Sequence, residues 1–543
     1  MKRALGVFAF TLLLAGAVQA EPRPILTSHV PRVVSSGVAP LVGHVSGTQR
    51  MSLAISLPPR NSTELNDLLQ EIYDPESPKF RHYLSVAEFT ERFGPSESEY
   101  AALVDFARTN GLTVVDQFSN RMVLDVEGPA ANIESAFHVT VGVYQHPTEG
   151  RTFYAPDREP TSDLDVPLLH ISGLDDVGLH RAKNIKPGQA PHAAGKTTGS
   201  GPGGDFIGSD MRAAYYGAGS LTGAGQTVGL YEEAGYQLSD IKNYFEKVNE
   251  PLNVPVRGVS VNGAKLSCPP PGCDDGEQAL DIEMAISMAP GLKEVLVYVG
   301  KGNNEVAIFN KMATDNIAKQ VSCSWGWPDD ESTLDPVFLE MMAQGQTVFV
   351  ATGDQGSGTQ GSVVWPADDP YITAVGGTDL VTNGPGGSWK SETGWSGSAG
   401  SPSKNGIPIP SYQQLPGVIN SSNKGSTKLR NYPDVAGEAN NNQYSCFNGG
   451  CSGGGGGTSY AAPQWAGFVA MANQQSLAHG GSTLGFINPA IYAIGVGSGY
   501  DRDFHDIVNG SNGGFSAVVS YDLVTGWGSP TGPALINALV GSK

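Results

Sequence analysis

Histidine nearly vanishes from this chain beyond residue 192: of ten in the sequence, only His479 and His505 lie further on. A serine nucleophile working near neutral pH ordinarily needs an imidazole base. Neither histidine stands at the end of a clear strand or the start of a clear helix, so a Ser-His-Asp triad is not expected. Positive charge is scarce as well. Lys and Arg total 33 against 53 Asp and Glu, giving a formal net charge of -20, with most of the acidity in the C-terminal part. Nucleic acid and anionic membrane surfaces are poor partners for such a chain. Its self-repulsion is relieved as carboxylates protonate, which suits an acidic medium, although an acidic surface serves solubility equally well. After residue 20 no apolar run is long enough to span a bilayer.

Cysteine is sparse too, at five. Cys268 and Cys273 bracket Pro-Pro-Pro-Gly, and Cys446 and Cys451 bracket Phe-Asn-Gly-Gly. Each pair closes a tiny loop, and an exported chain permits disulfides. Zinc is the weaker reading, because no histidine lies near either pair. Cys323 is left over in an apolar run, as a buried thiol.

What is present indicates two or more domains in 543 residues, with 39% hydrophobic residues for a core and 71 glycines and 37 prolines for turns. Met1–Ala20 has the form of a secretory signal peptide: Lys2 and Arg3, an apolar run Phe8–Ala17, then Val-Gln-Ala. Residues 21–182 alternate strand-like and helical patterns, among them a strand over Ser52–Leu57 and helices over Ser62–Tyr73 (capped by Ser62 or Thr63), Val86–Phe93, Glu97–Asn110 and Ala130–Phe137, which makes a small α+β domain. Residues 183–204 hold almost nothing that packs and read as a linker open to proteolysis. Residues 205–543 change rhythm. Short apolar strands over Gln226–Tyr231, Glu294–Val299, Gln320–Ser324, Thr347–Ala351 and Tyr371–Val375 alternate with helices over Leu238–Val248, Glu277–Met288, Glu305–Ile317 and Leu334–Gln344. This is the pattern of a parallel sheet covered on both faces, with function at the strand C-terminal ends.

Three stretches carry chemistry. Gly453–Pro463 delivers one hydroxyl, Ser459, to the start of a helix over Gln464–Gln475, where backbone N–H groups favour a nucleophile; it equally fits a glycine-rich surface loop with a serine cap. Glu277 and Asp281, at i,i+4, share a helix face. Two such carboxylates split their pKa values, and one can act as base below neutral pH while the other holds it; a solvated acidic face is the plain alternative. Asp354 follows an apolar strand in a glycine turn, as a turn cap or as a protonated donor to a developing oxyanion.

In this order, Glu277-x-x-x-Asp281, Gly-Asp354 and Gly457-Thr-Ser459-x-x-x-Pro463 resemble the serine-carboxyl peptidases, or sedolisins. Ser324-Trp325-Gly326, Trp365-Pro-Ala, Gly394-Trp395-Ser396 and Tyr432-Pro-Asp-Val-Ala436 extend the likeness over roughly 204–532. Phe80-Arg-His-Tyr-Leu and Arg92-Phe-Gly-Pro-Ser96 resemble the family's activation prodomain. The resemblance implies a subtilisin-like α/β fold and a secreted acid endopeptidase made as a self-processing precursor. Residues 1–20 would be the signal peptide, 21–182 the prodomain (an intramolecular inhibitor and folding aid), 183–204 the processing linker and 205–543 the catalytic domain. Acid would trigger processing by protonating carboxylates at the prodomain contact and in the active site.

By the same resemblance Ser459 is the nucleophile, Glu277 the general base, Asp281 its orienting partner, Asp354 the oxyanion donor and Glu232 a further link in the hydrogen-bonded chain. Trp325 lines the substrate cleft. Asp506, Ile507, Val518, Ser520 and Asp522 hold one Ca²⁺ through two carboxylates and three carbonyls. The sequence departs from the family at Val518 and Ser520, where relatives usually carry glycine, and at Gly456, where serine is common. Polypeptides are the expected substrates and a secreted monomer, extracellular or periplasmic, the expected form. A tripeptide-releasing exopeptidase and a calcium-dependent binding protein without catalysis are the rival readings.

Overall fold

The computed structural model describes residues 22–184, 198–301, 304–327, 333–357 and 365–541. The expected signal peptide and most of the expected linker lie outside them.

The N-terminal part builds a four-stranded antiparallel sheet from β1 (Arg50–Ser56), β2 (Thr113–Gln117), β3 (Val123–Pro129) and β4 (His170–Ser172), in the order β2-β3-β1-β4. Its own core gathers Leu53, Ile55, Leu103 and Leu124 with Ile133 and Phe137 of α2 (Ala130–Phe137). Helix α1 (Ser62–Tyr73) behaves differently. Its stripe Leu65, Leu68, Leu69 and Ile72 has the spacing of one helix face. That stripe joins the core of the C-terminal part, together with Val337, Phe338, Met341 and Met342 of α4 (Asp335–Ala343). Each leucine so buried contributes roughly 1.5–3 kcal/mol. The α1 N-cap is Asn61, in the left-handed region and without a side-chain cap bond, rather than Ser62 or Thr63.

Polar bonds surround this apolar contact. Tyr73 donates to Met342 O (2.8 Å), Tyr83 to Leu484 O (2.8 Å) and the Asn120 amide to Glu340 Oε2 (2.6 Å), while Asn304 donates to Asp125 Oδ1 (3.3 Å). Burial pushes Asp125 up to about 7 and Glu340 up to about 8. Elsewhere in this domain His29 and His170 stack at 4.3 Å. The Ile171 amide donates to His29 Nε2 (3.0 Å), which requires that nitrogen unprotonated.

The C-terminal part is organised by an eight-stranded sheet. Its first strand, β5 (Thr227–Glu232), is central. The chain lays β6 (Val256–Ser260) and β7 (Glu294–Val299) on one side in the order β6-β7-β5, then crosses to lay β8 (Gln320–Cys323), β9 (Thr347–Ala351) and β10 (Thr373–Thr382) on the other, all parallel. Beyond β10, β11 (Trp389–Gly394) pairs antiparallel and β12 (Val435–Glu438) parallel. The direction of winding reverses at β5, and a crevice forms at its carboxyl end. Across the sheet lie α3 (Gly276–Met288), buried along its whole length, and α5 (Ala461–Ala478). These two helices approach closely at Gly467, where a Cβ would meet Met288 Cβ at 2.9 Å.

Two disulfides, Cys268–Cys273 and Cys446–Cys451, close the loops read from the sequence, and Cys323 is a buried free thiol. No helix among the described residues is long and apolar enough to cross a membrane.

Candidate active site

The residues singled out in the sequence converge at the carboxyl end of the sheet. Glu232 is the last residue of β5, Ser324 follows β8 and Asp354 lies just beyond β9. Glu277 and Asp281 occupy the first two turns of α3, and Ser459 sits in a short 3-10 turn, Thr458–Tyr460, leading into α5. Glu277 is 3% exposed and Asp281 fully buried, so the solvated-face reading of this pair fails. Ser459 is buried as well, which removes the surface-loop reading.

The carboxyl groups form a chain. The Ser324 hydroxyl donates to Asp281 Oδ1 (2.8 Å), and Trp325 Nε1 donates to Glu232 Oε2 (2.9 Å). Asp281 and Glu232 lie within hydrogen-bond reach of each other, and their remaining oxygens, Oδ2 and Oε1, have no other donor. A shared proton satisfies both. Burial, then the neighbouring Asp281 charge, pushes Glu277 well above the usual carboxylate range; burial and Glu232 do the same to Asp281. Ser459 faces Glu277 closely enough to draw its proton affinity back down. Neither Glu277 oxygen has a settled hydrogen bond, because the Ser459 hydroxyl donates instead to the carbonyl of Lys183.

That carbonyl belongs to the chain leaving the N-terminal domain. Arg181–Ala182 pairs antiparallel with Trp325–Gly326, and the Lys183 amide continues the ladder to Ser324 O (2.8 Å). The backbone thus crosses the cleft as an added strand, the extended mode in which a peptide docks on an edge. Lys183 O also accepts from the Ser459 amide (3.2 Å). Asp354 flanks the same oxygen. The Thr458 amide (2.8 Å) and hydroxyl (3.1 Å) hold its Oδ1. Gly457, at φ +122°, makes room: a Cβ there would meet both Asp354 Oδ2 and Lys183 O at 2.7 Å. Burial pushes Asp354 up to about 7, so below that pH it carries a proton to donate.

Upstream, His180 stacks on Trp327 (4.6 Å) and pairs with Glu233 and with Glu305 (3.5 Å). The two distal histidines stay out of this chemistry. His479 caps the far end of α5, and His505 stacks flat on Trp389 at 4.0 Å. Sequence reasoning missed Ser324 and Thr458 as holders of the carboxyl groups, although both stood inside stretches it had singled out, and it placed Lys183 in a linker with almost nothing that packs, whereas that side chain is buried in the cleft.

A second cluster gathers the expected metal ligands. Asp506 accepts from the Ser520 amide (3.1 Å) and the Tyr500 hydroxyl (2.9 Å), and Asp522 from the Val518 amide (3.0 Å). The two carboxylates therefore converge on one loop. Ser520 holds φ +67° there, a conformation glycine would adopt freely. Among the described residues the carbonyls of Ile507, Val518 and Ser520 accept no hydrogen bond. Asp522 also accepts from the Val524 (2.8 Å) and Thr525 (2.7 Å) amides; two carboxylates on one loop and three carbonyls without a donor are the oxygen set a hard cation takes.

A parallel sheet whose carboxyl end gathers Ser459 and buried carboxyl groups, crossed by the tail of a preceding domain, defines a subtilisin-like serine peptidase carrying its activation domain. Comparisons agree. Residues 39–176 match the pro-kumamolisin activation domain and 258–483 the subtilase family. Kumamolisin of Bacillus sp. (strain MN-32) is 31% identical over 96% of this chain and 97% of its own length. Tripeptidyl-peptidase 1 of Rattus norvegicus is 26% identical over 99% of each. The structure of Pseudomonas sedolisin, a serine-carboxyl proteinase complexed with two molecules of pseudo-iodotyrostatin, superposes with a TM-score of 0.54 at 26% identity, covering 64% of this chain and all of that one. The chain belongs to the sedolisin family of serine-carboxyl peptidases.

Proposed function

We propose that this peptidase is a secreted, acid-acting endopeptidase using Ser459, Glu277, Asp281 and Asp354, divided into signal peptide (1–20), prodomain (21–182), linker (183–204) and catalytic domain (205–543). Ser459 Oγ attacks the scissile carbonyl as Glu277, in the fraction of molecules where it is ionised, takes its proton. Protonated Asp281, linked to Glu232, holds Glu277 in place. The Ser459 amide and protonated Asp354 donate to the oxyanion, and a donor of that kind is worth about 10²–10³ in rate.

The observation that carries the endopeptidase reading is the path of residues 180–183. Counted back from the bond after Lys183, the chain continues past the third residue, Arg181, and His180, the fourth, has its own seat on Trp327 between Glu233 and Glu305. An enzyme that released only tripeptides would have to exclude a residue from that fourth position. Fragments of a denatured protein digested in acid are expected to end at internal bonds; a ladder of tripeptides from the N-terminus would reject the reading.

Acid acts on the prodomain mainly through its histidines. Asp125 and Glu340 have raised affinities in the docked state, so their contribution to docking is full below the free carboxylate range and fades as pH rises through about 7 and 8. Protonating them holds the domains together, contrary to the expectation from sequence. His29 is depressed to about 3, by burial and by its neighbour His170, against a weaker pull from Glu159. Its contribution is full above the free value of 6.5 and is lost as pH falls toward 3, on the order of 5 kcal/mol. In a Ser459→Ala chain, which stays uncut, prodomain melting is expected to drop between pH 6.5 and 4, and His29→Gln to flatten that drop.

The Asp506 and Asp522 carboxylates, with the carbonyls of Ile507, Val518 and Ser520, would hold Ca²⁺. The ion supplies charge neutralisation that pins the C-terminal loop, and no catalytic step passes through it. Saturating calcium at 100 times its dissociation constant stabilises by about 2.7 kcal/mol. Chelation is therefore expected to lower the melting temperature, and Asp522→Asn to abolish the calcium response.

A further inference from the structure

We propose that the cleft is built to take a basic side chain, lysine above all, immediately before the scissile bond, and that Lys183–Asn184 is the first bond this chain cuts in itself. The inference rests on the peptidase reading above and adds its substrate class.

The backbone geometry selects the bond. Lys183 is the residue whose carbonyl receives both the Ser459 hydroxyl and the Ser459 amide, beside Asp354. The antiparallel pairing of 181–182 with 325–326 fixes the register, so neighbouring carbonyls cannot take its place without breaking the ladder.

The side chain selects the class. A lysine in a processing linker would ordinarily lie in solvent, yet Lys183 is only 4% exposed. Its stem runs along Gly326, where an added Cβ would meet Lys183 Cε at 2.3 Å and Nζ at 2.7 Å; any larger residue there would fill the space. At the far end Nζ donates to Ala351 O (2.7 Å), the last carbonyl of β9. Asp368 and Glu277, wherever they are ionised, act on the amine in the direction that favours its charge; Asp354 joins them only as pH rises through about 7. Asp368 is itself fully buried, held by the Ser403 hydroxyl (2.8 Å) and the Asn405 amide (3.3 Å), and the Arg430 and Lys183 charges both favour its ionised form. Burial lowers the amine's affinity only to about 8, so it is charged throughout the acid range. A leucine of similar reach would leave Ala351 O without this donor, and a glutamate would set a carboxyl group against that carbonyl. A charge-assisted bond of this kind corresponds to roughly 10- to 100-fold in selectivity.

The cut balances as hydrolysis. Ser459 Oγ bonds to the Lys183 carbonyl carbon while Glu277 takes the hydroxyl proton. The Lys183–Asn184 C–N bond then breaks, and the Asn184 amine leaves with that proton. Water attacks the resulting ester, again giving a proton to Glu277, and Lys183 departs as a carboxylic acid while Ser459 regains its hydrogen.

The test uses the full-length precursor shifted to acid, with early fragments identified by mass and N-terminal sequence, beside a Ser459→Ala control. Asn184 is expected as the first new N-terminus, and Lys183→Glu is expected to slow that cut at least about tenfold. The matured enzyme is then given quenched peptides that differ only before the scissile bond, with Lys, Leu or Glu. Lys is expected to lead Leu by roughly 10- to 100-fold in kcat/KM. Ser459-dependent maturation that begins elsewhere, with Leu cleaved as well as Lys, would overturn the proposal alone. Cleavage that persists in the Ser459→Ala control would overturn the peptidase assignment beneath it.

Discussion

A Ser459→Ala chain is expected to stay full length in acid and to lose about 10⁶ in kcat. The substitution is structurally mild. Ser459 lies in a turn whose backbone is set by Gly457 at φ +122° and by the bonds of Thr458 to Asp354, and alanine keeps the amide that donates to Lys183 O. The hydroxyl has one hydrogen-bond partner among the described residues, the Lys183 carbonyl, so its loss costs stability about 1 kcal/mol. A folded, prodomain-bound and inert protein is the expected result. Mass analysis after acid incubation, with melting compared at neutral pH, checks both halves.

Glu277→Gln is expected to lower kcat by about 10⁴ or more while leaving the fold intact or firmer. Glutamine matches the side chain in shape but cannot accept the serine proton. The stability half follows from burial. Glu277 has a raised proton affinity in the fold, so its contribution is full below the free carboxylate range and is lost as pH rises through the folded value. A neutral amide removes that loss, and the melting temperature at neutral pH is expected to rise. Activity down with stability up is the signature of a group held in the wrong charge state for the sake of chemistry. The wild-type rate is expected to fall as pH rises through about 7, where Asp354 ionises and ceases to donate.

Much of this was legible in the sequence, for physical reasons that can be named. The bounds of Ser62–Tyr73, Ala130–Phe137, Glu294–Val299 and Thr347–Ala351 are those the apolar spacing predicts, because each element's apolar pattern is strong and its ends carry turn residues. Helix α5 begins at Ala461, ahead of the expected Gln464, since a proline in the first turn has no intrahelical N–H to lose. The strand expected over Tyr371–Val375 runs on to Thr382 through Gly376-Gly377, where close neighbours such as Trp395 and Pro433 leave no room for side chains. The Glu277–Asp281 pairing followed from i,i+4 spacing. Their burial did not, because it depends on helices and strands remote in sequence closing over α3. Lys183 was illegible for the same reason: a linker's composition says nothing about which of its residues enters a pocket.

The central claim is that a carboxyl group, with no imidazole, activates the Ser459 hydroxyl. The most direct test compares kcat/KM on one peptide in acid for the His479→Gln/His505→Gln double variant and for Glu277→Gln, each shown to be folded by its melting curve. The double variant is expected to keep the wild-type rate within a few-fold, and Glu277→Gln to lose about 10⁴ or more. An inactive double variant beside an active Glu277→Gln enzyme would contradict the claim.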